Sequence, residues 1–263
     1  MTTVLDRIIA SKREEIAMVK KRRDLQALRD AIHSAPGIRD FHDALRRRDR
    51  IRLLAEVKKA SPSKGVIRPQ FRPVEIARAY ESGGAAAISV LTDEPFFQGR
   101  LDYLTQIRET VAVPILRKDF ILDEYQIYEA RVAGADAVLL IAECLPGDEL
   151  RHLYQCALDL GMCALIELYD PVHLDRVLGT GGTLVGINNR DLRTFAVDLD
   201  HVIRLRRQIP PTVTLVAESG ISHHDDVRRL EDAGIDAILV GESLMRQGDV
   251  RQAVELLMQF NRD

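Results

Sequence analysis

The sequence has little of several features that commit a chain to a specialised role. Three cysteines, Cys144, Cys156 and Cys163, are an odd number without CxxC spacing. That argues against a disulfide framework and suits small buried residues of a reduced, intracellular protein. No apolar run approaches the roughly 18 residues of a membrane span, and the first residues lack a signal peptide's apolar block, so a cytoplasmic protein with no membrane partner is expected. The formal net charge is only −3, so no basic field points to nucleic acid. The run "RRRDR" at 46–50 has no interleaved aromatics and reads as a solvated face. A GxGxxG fingerprint after an early strand is missing, which argues against an open dinucleotide-binding sheet; "GTGG" at 179–182 precedes a strand and reads as a loop.

What is present is a rhythm. Hydrophobic residues make up 46% of the 263, enough for a sizeable core. From residue 51 onward come "IRLLAEVKK", "AAAISVLTD", "VPILRKDF", "DAVLLIAEC", "CALIELYD", "TLVGINNRD", "VTLVAESG" and "DAILVGES". Each is a near-continuous apolar run, as in parallel strands covered on both faces. They recur at roughly 20 to 35 residues, the length of a βα unit, with helical patterns such as Val74–Ser82 and Asp226–Ala233 between them. "SGGAAAISV", "AGADAVLLI" and "AGIDAILVG" form a weak internal repeat, with Gly84, Gly134 and Gly234 where a left-handed helix end is needed. Eight such units predict an α/β fold of the closed (β/α)₈ barrel type over residues 51–263. Residues 1–50 lie outside the rhythm. "VLDRIIASKREEIAMVKKRR" places Leu5, Ile8, Ile9, Ile16 and Val19 on one helical face, and "DLQALRDAIHS" and "DFHDALRRR" predict further helices around the breaker "APG". An N-terminal helical extension packed on the barrel, within one domain overall, is expected.

In such a barrel the C-terminal strand ends face the active site. Those ends read Glu56 and Lys58; Asp93 and Glu94; Lys118 and Asp119; Glu143; Glu167; Asn188, Asn189 and Arg190; Glu218 and Ser219; Glu242 and Ser243. Side chains alternate along a strand, so Glu56 and Lys58 share a face. Two lysines converging with several carboxylates describe an acid–base site rather than a metal site, and no cofactor is implied. The seven histidines lie away from the strand ends; His223 and His224 suit the start of a helix better than metal ligation. Gly220 and Gly241 follow the seventh and eighth strands, where loops often cradle phosphate on backbone N–H groups. Phe96 and Phe97 fit either loop anchors or an aromatic wall.

The motifs "AEVKKASPSKG", "SVLTDEPFFQG", "PILRKDFI", "LIELYD", "GINNRDL", "VAESGI" and "VGESLMR" occur in order, each at a strand end. Together they closely resemble the indole-3-glycerol phosphate synthase family of tryptophan biosynthesis. The resemblance implies a carboxy-lyase that converts 1-(2-carboxyphenylamino)-1-deoxyribulose 5-phosphate into indole-3-glycerol phosphate, losing carbon dioxide and water. It implies Lys118 as the general acid at the ketone oxygen and Glu167 as the base of the later steps. Glu56 and Lys58 would complete the acid–base network, with Lys58 sharing acid duty in dehydration. Asn188, Ser61 and Arg190 would contact substrate, Glu218 and Ser219 would line the mouth, and Phe97 would flank the anthranilate ring. Gly220, Gly241 and Ser243 would serve the phosphate. Glu242 stands where some members have serine, so only its backbone N–H is expected to help, because an inward carboxylate would repel phosphate. Asp119 is expected to offset the charge of Lys118, and Glu56 that of Lys58. The only partner implied is the small phosphorylated substrate; a monomer is favoured.

Three alternatives remain open on the residues alone. A Schiff-base aldolase would use Lys118 as a neutral nucleophile. A phosphoribosylanthranilate isomerase-like barrel would need no second lysine and would release no carbon dioxide. A non-catalytic barrel would merely bind a phosphorylated metabolite.

Overall fold

The computed structural model describes residues 3–191 and 194–259. All eight apolar runs form strands: β1 Arg52–Val57, β2 Ala87–Leu91, β3 Ile115–Lys118, β4 Ala137–Ile141, β5 Cys163–Leu168, β6 Leu184–Asn188, β7 Thr214–Glu218 and β8 Ala237–Val240. Each pairs in parallel with the next in sequence, and β8 pairs back onto β1, so the sheet closes into a (β/α)₈ barrel. Closure removes every sheet edge and leaves a packed interior, which is why the strands are apolar on both faces. Strand residues are buried throughout, save Arg52 and Cys163 at the entry of their strands and Lys118 at the exit of β3.

A helix follows each strand. Pro73–Ser82 is representative: Pro at its start, and Ile76, Ala77 and Tyr80 buried on one stripe. Gly84, Gly134 and Gly234 all adopt left-handed φ values, +98°, +92° and +78°, and turn the chain from a helix into the next strand. The repeat has a second use. Asp136 Oδ2 accepts the Ile115 N–H at 2.7 Å, and Asp236 Oδ2 accepts the Leu215 N–H at 2.8 Å. In each case the aspartate before one strand satisfies a backbone donor at the start of the strand before it.

The N-terminal segment forms α1 (Val4–Arg22), α2 (Leu25–Ala31) and α3 (Phe41–Leu45). Thr3 and Asp6 exchange hydrogen bonds in a capping box that starts α1. The buried stripe of α1 is Ile8, Lys12 and Ile16, so a lysine occupies the centre of the expected apolar face, with Leu5 and Ile9 packed beside it. Helix α3 lies across the strand entries: the Arg52 side chain donates to Ala44 O, His42 Nε2 lies 2.9 Å from Thr214 Oγ1, and the Arg39 N–H donates to Asp136 Oδ1. Phe41 and Leu45, both fully buried, close the bottom of the barrel. No helix among the described residues is long and apolar enough to cross a membrane.

Truncating this plug should be costly. Phe41→Ala removes an aromatic side chain that is 1% exposed, and a loss of about 3–5 kcal/mol is expected. Urea unfolding at equilibrium checks it; an unchanged midpoint would show that α3 does not close the core.

Candidate active site

The strand exits open into a cavity of about 430 Å³. Glu56, Lys58 and Ser61 line it from β1 and the short hairpin that follows (Ala60–Ser61 with Gly65–Val66). Phe97 enters from the turn after β2, Lys118 from β3 and Glu167 from β5. Asn188 and Arg190 come from β6, Glu218, Ser219 and Gly220 from β7, and Gly241, Glu242 and Ser243 from β8. Strand ends around the barrel thus deliver residues to one cavity, and every residue to which the family resemblance gives a catalytic, substrate or phosphate role lines it.

At its centre is Lys118. Its Nζ lies 2.6 Å from Glu218 Oε2 and 3.0 Å from Glu167 Oε2. The Asn188 side-chain amide donates to Glu167 Oε1 at 3.0 Å, and Lys58 pairs with Glu56. Three carboxylates therefore share two ammonium groups, and electrostatics favour a proton on one carboxyl. Burial and the adjacent Glu167 charge push the Glu218 carboxyl up to about 8, against the pull of Lys118. Burial also acts to raise Glu167, but the Lys118 charge and the hydrogen bonds from Lys118 and Asn188 outweigh it and hold that carboxyl below the usual range. Burial acts to lower Lys118, yet Glu167, Glu218 and Glu56 together hold its ammonium above the ordinary lysine value. Lys118 is thus held charged between a carboxyl favoured in its ionised form, Glu167, and one favoured in its neutral form, Glu218.

Two glycines make room for it. A Cβ at Gly186 would lie 2.3 Å from Glu218 Oε1, and one at Gly241 would lie 2.3 Å from Glu56 Oε2. Gly241, expected from sequence to serve the phosphate, also leaves room for the Glu56 carboxylate. Gly186 was not singled out, although a glycine inside a strand signals a close approach. Gly220 has a left-handed φ of +82°, and a Cβ there would strike Val197; Ser219 beside it adopts φ +69°. Ser243 Oγ donates to Ile221 O. The Glu242 carboxylate is held by Arg246 at 3.0 Å, with Lys64 at 3.9 Å, so its charge is balanced within the cavity wall.

Several strand-end residues have other tasks. Asp119 does not face Lys118: alternation turns it outward, where it meets Lys12 at 2.9 Å, Arg117 at 3.2 Å and the Thr92 hydroxyl at 2.6 Å. The charge of Lys118 is offset by Glu167 and Glu218 instead. Glu143 accepts the Tyr169 and Asp170 N–H groups and braces a turn. Asp93 caps the short helix Glu94–Phe97, leaving Glu94 exposed. His223 starts a helix, its N–H bonded to Asp226, and His224 bonds Leu257 O. Among the described residues no group of three or more His, Cys, Asp or Glu is arranged to hold a metal ion. Burial pushes Cys144, Cys156 and Cys163 up, so none is an activated thiolate.

The far end of the cavity is apolar. Phe97 and Phe120 lie with ring centroids 6.1 Å apart, and Val4, Leu5 and Ile8 of α1 complete that wall. Sequence reading did not identify Phe120, Arg246 or these α1 residues, because only tertiary packing brings them to the mouth.

Fold and site together define a (β/α)₈ barrel with a lysine–glutamate acid–base centre. Comparison with known proteins narrows this. Residues 5–257 match the family model for indole-3-glycerol phosphate synthase. Proteins of that name from Rhodopirellula baltica and a Polaromonas species are 56% and 50% identical, over 97% and 95% of this chain and 99% and 96% of theirs. The chain belongs to the indole-3-glycerol phosphate synthase family, decarboxylating lyases of tryptophan biosynthesis. A solved 3-hexulose-6-phosphate synthase (TM-score 0.64, 15% identity, 79% of this chain and 98% of that one) shares the fold alone. So does thiamine phosphate pyrophosphorylase from Pyrococcus furiosus (TM-score 0.61, 19% identity, 79% and 94%).

The Glu218 proton carries a stability consequence. The folded state keeps a proton up to about pH 8 that the unfolded chain releases near the ordinary 4.5. The stabilisation from this group is therefore full below the lower value and lost as pH rises toward the upper. Thermal unfolding at about pH 6 and pH 9 should show wild type losing stability, and Glu218→Gln losing much less. An equal loss in both would place the proton elsewhere.

Proposed function

We propose that this cavity binds 1-(2-carboxyphenylamino)-1-deoxyribulose 5-phosphate and closes it to indole-3-glycerol phosphate, with Lys118 as the first general acid. The observation that carries the reading is the Lys118 Nζ held 3.0 Å from Glu167 and 2.6 Å from Glu218, in one cavity with an aromatic wall. The substrate's aryl ring suits the Phe97 and Phe120 end. Its phosphate suits the opposite end, with Gly220, Gly241 and the N–H of Glu242, while Ser243 and Arg246 lie alongside. Ser61, Arg190 and Ser219, which also line the cavity, suit the chain between.

As the aryl carbon bonds to the ketone carbon, negative charge grows on the ketone oxygen. A nearby ammonium that donates its proton there lowers the barrier most where water is scarce. Scission of the carboxylate then returns the electron pair that restores the aromatic ring, a step that asks for orientation. Loss of the hydroxyl as water needs an acid and a base: Lys58, paired with Glu56, supplies the proton, and Glu167, fixed by Asn188, removes one from the new ring. The same reading makes residues 1–50 part of the working unit with the barrel of 51–263, since α1 walls the cavity. The reading favours a single chain working in the cytoplasm, with neither nucleic acid nor membrane as partner.

The chain contains no tryptophan, so product indole fluorescence rises over a background free of indole. With EDTA present, wild type should generate that signal from the substrate. Lys118→Met and Glu167→Gln should each lower kcat by about 10²–10⁴-fold while KM changes little. Near-normal turnover by Lys118→Met would overturn the acid assignment, and silence from folded wild type would overturn the function.

A further inference from the structure

Lys12 takes no part in the acid–base cluster, yet its side chain is 1% exposed. A lysine buried to that degree needs charged partners, and this one has three: Asp119 Oδ1 at 2.9 Å, Asp93 Oδ2 at 3.0 Å and Glu15 Oε2 at 2.9 Å. Glu15 belongs to the same helix, whereas the aspartates belong to the exits of β2 and β3. Each aspartate fixes the backbone beside a cavity phenylalanine. Asp93 Oδ1 accepts the Phe96 N–H and caps the helix that ends in Phe97. Asp119 Oδ1 accepts the Phe120 N–H. One turn before Lys12 on the same helix stands Ile8, and beyond it Leu5 and Val4, the third wall of the apolar end.

We infer that Lys12 is a positioning residue for the aryl end of the substrate. Its ammonium ties together α1, the Phe97 turn and the Phe120 corner, the three segments that shape the ring pocket. Asp93 and Asp119 both lie within 3.0 Å of one nitrogen, so without that charge they are left as neighbouring buried carboxylates that repel each other. The relief available is for the Asp93 turn or α1 to move outward, and either opens the aryl pocket. Among the described residues, the ion pairs of Lys12 run to Glu15, Asp93 and Asp119 and to none of the phosphate-end residues on β7 and β8.

The inference rests on the proposed function, and the two fail separately: wild-type turnover reads the function, and variant-to-wild-type ratios read Lys12. Lys12→Met keeps the aliphatic stem and removes the charge. KM for the substrate should rise about tenfold, with the inhibition constant of inorganic phosphate within about twofold of wild type. Equal weakening of both, as general loosening would give, or no change in KM overturns the inference. Asp93→Asn gives a second test that survives a misfolded Lys12→Met, because asparagine caps a helix as well as aspartate does while losing the ionic bond to Lys12. A KM rise of about threefold with phosphate inhibition unchanged is expected there, and an unchanged KM overturns the inference.

Discussion

The pairing of Lys118 with Glu167 and Glu218 is the constraint around which the upper half of the barrel is arranged. Charges this deeply placed are costly to desolvate and are retained only where partners and hydrogen bonds compensate. Here the compensation comes from three different strands, β3, β5 and β7, and from the Asn188 amide on β6. Only closure of the sheet brings those strands' exits to one point. The same geometry favours glycine at 186 and 241, where a Cβ would meet a carboxylate oxygen and oblige that glutamate to shift. Function and fold are thus coupled through sterics as well as charge.

Strand alternation divides the charges into two networks that share a backbone. Lys118 faces inward to the acid–base cluster; Arg117 and Asp119, its chain neighbours, face outward to Glu129, Thr92 and Lys12. Burial acts to raise the Asp119 carboxyl, but Arg117, Lys12 and the Thr92 hydroxyl outweigh it and bring it down to about 2. That side chain therefore stays ionised and anchored across the working range. The outer network ties the N-terminal helix to the end of β3, while the inner one holds Lys118 between Glu167 and Glu218.

Much of this is legible in the sequence. Eight apolar runs at βα spacing define the barrel, because strands covered on both faces are apolar almost throughout, with Ser89 the exception in mid-strand. For the same reason, polar residues at those ends were natural site candidates, and Lys118, Glu167, Glu56 and Lys58 do meet in one cavity. What was not legible depends on direction and distance. Asp119 was matched to Lys118 by adjacency, although neighbouring side chains on a strand point apart. Lys12 sat in an apolar stripe as an apparent interruption, and only its partners, about 80 and 107 positions away in sequence, explain it. Phe120 and Arg246 carried no pattern of their own. Gly186 did carry one, a glycine within an apolar strand, and its meaning became clear only when Glu218 was seen against it.

The electrostatics of the cluster favour one proton on Glu218 while Lys118 stays charged. Carbon-13 NMR of glutamate side-chain carboxyls at neutral pH tests it directly. The expected result is a single buried protonated carboxyl, lost in Glu218→Gln and retained in Glu56→Gln. A spectrum in which Glu56, Glu167 and Glu218 are all ionised would contradict it.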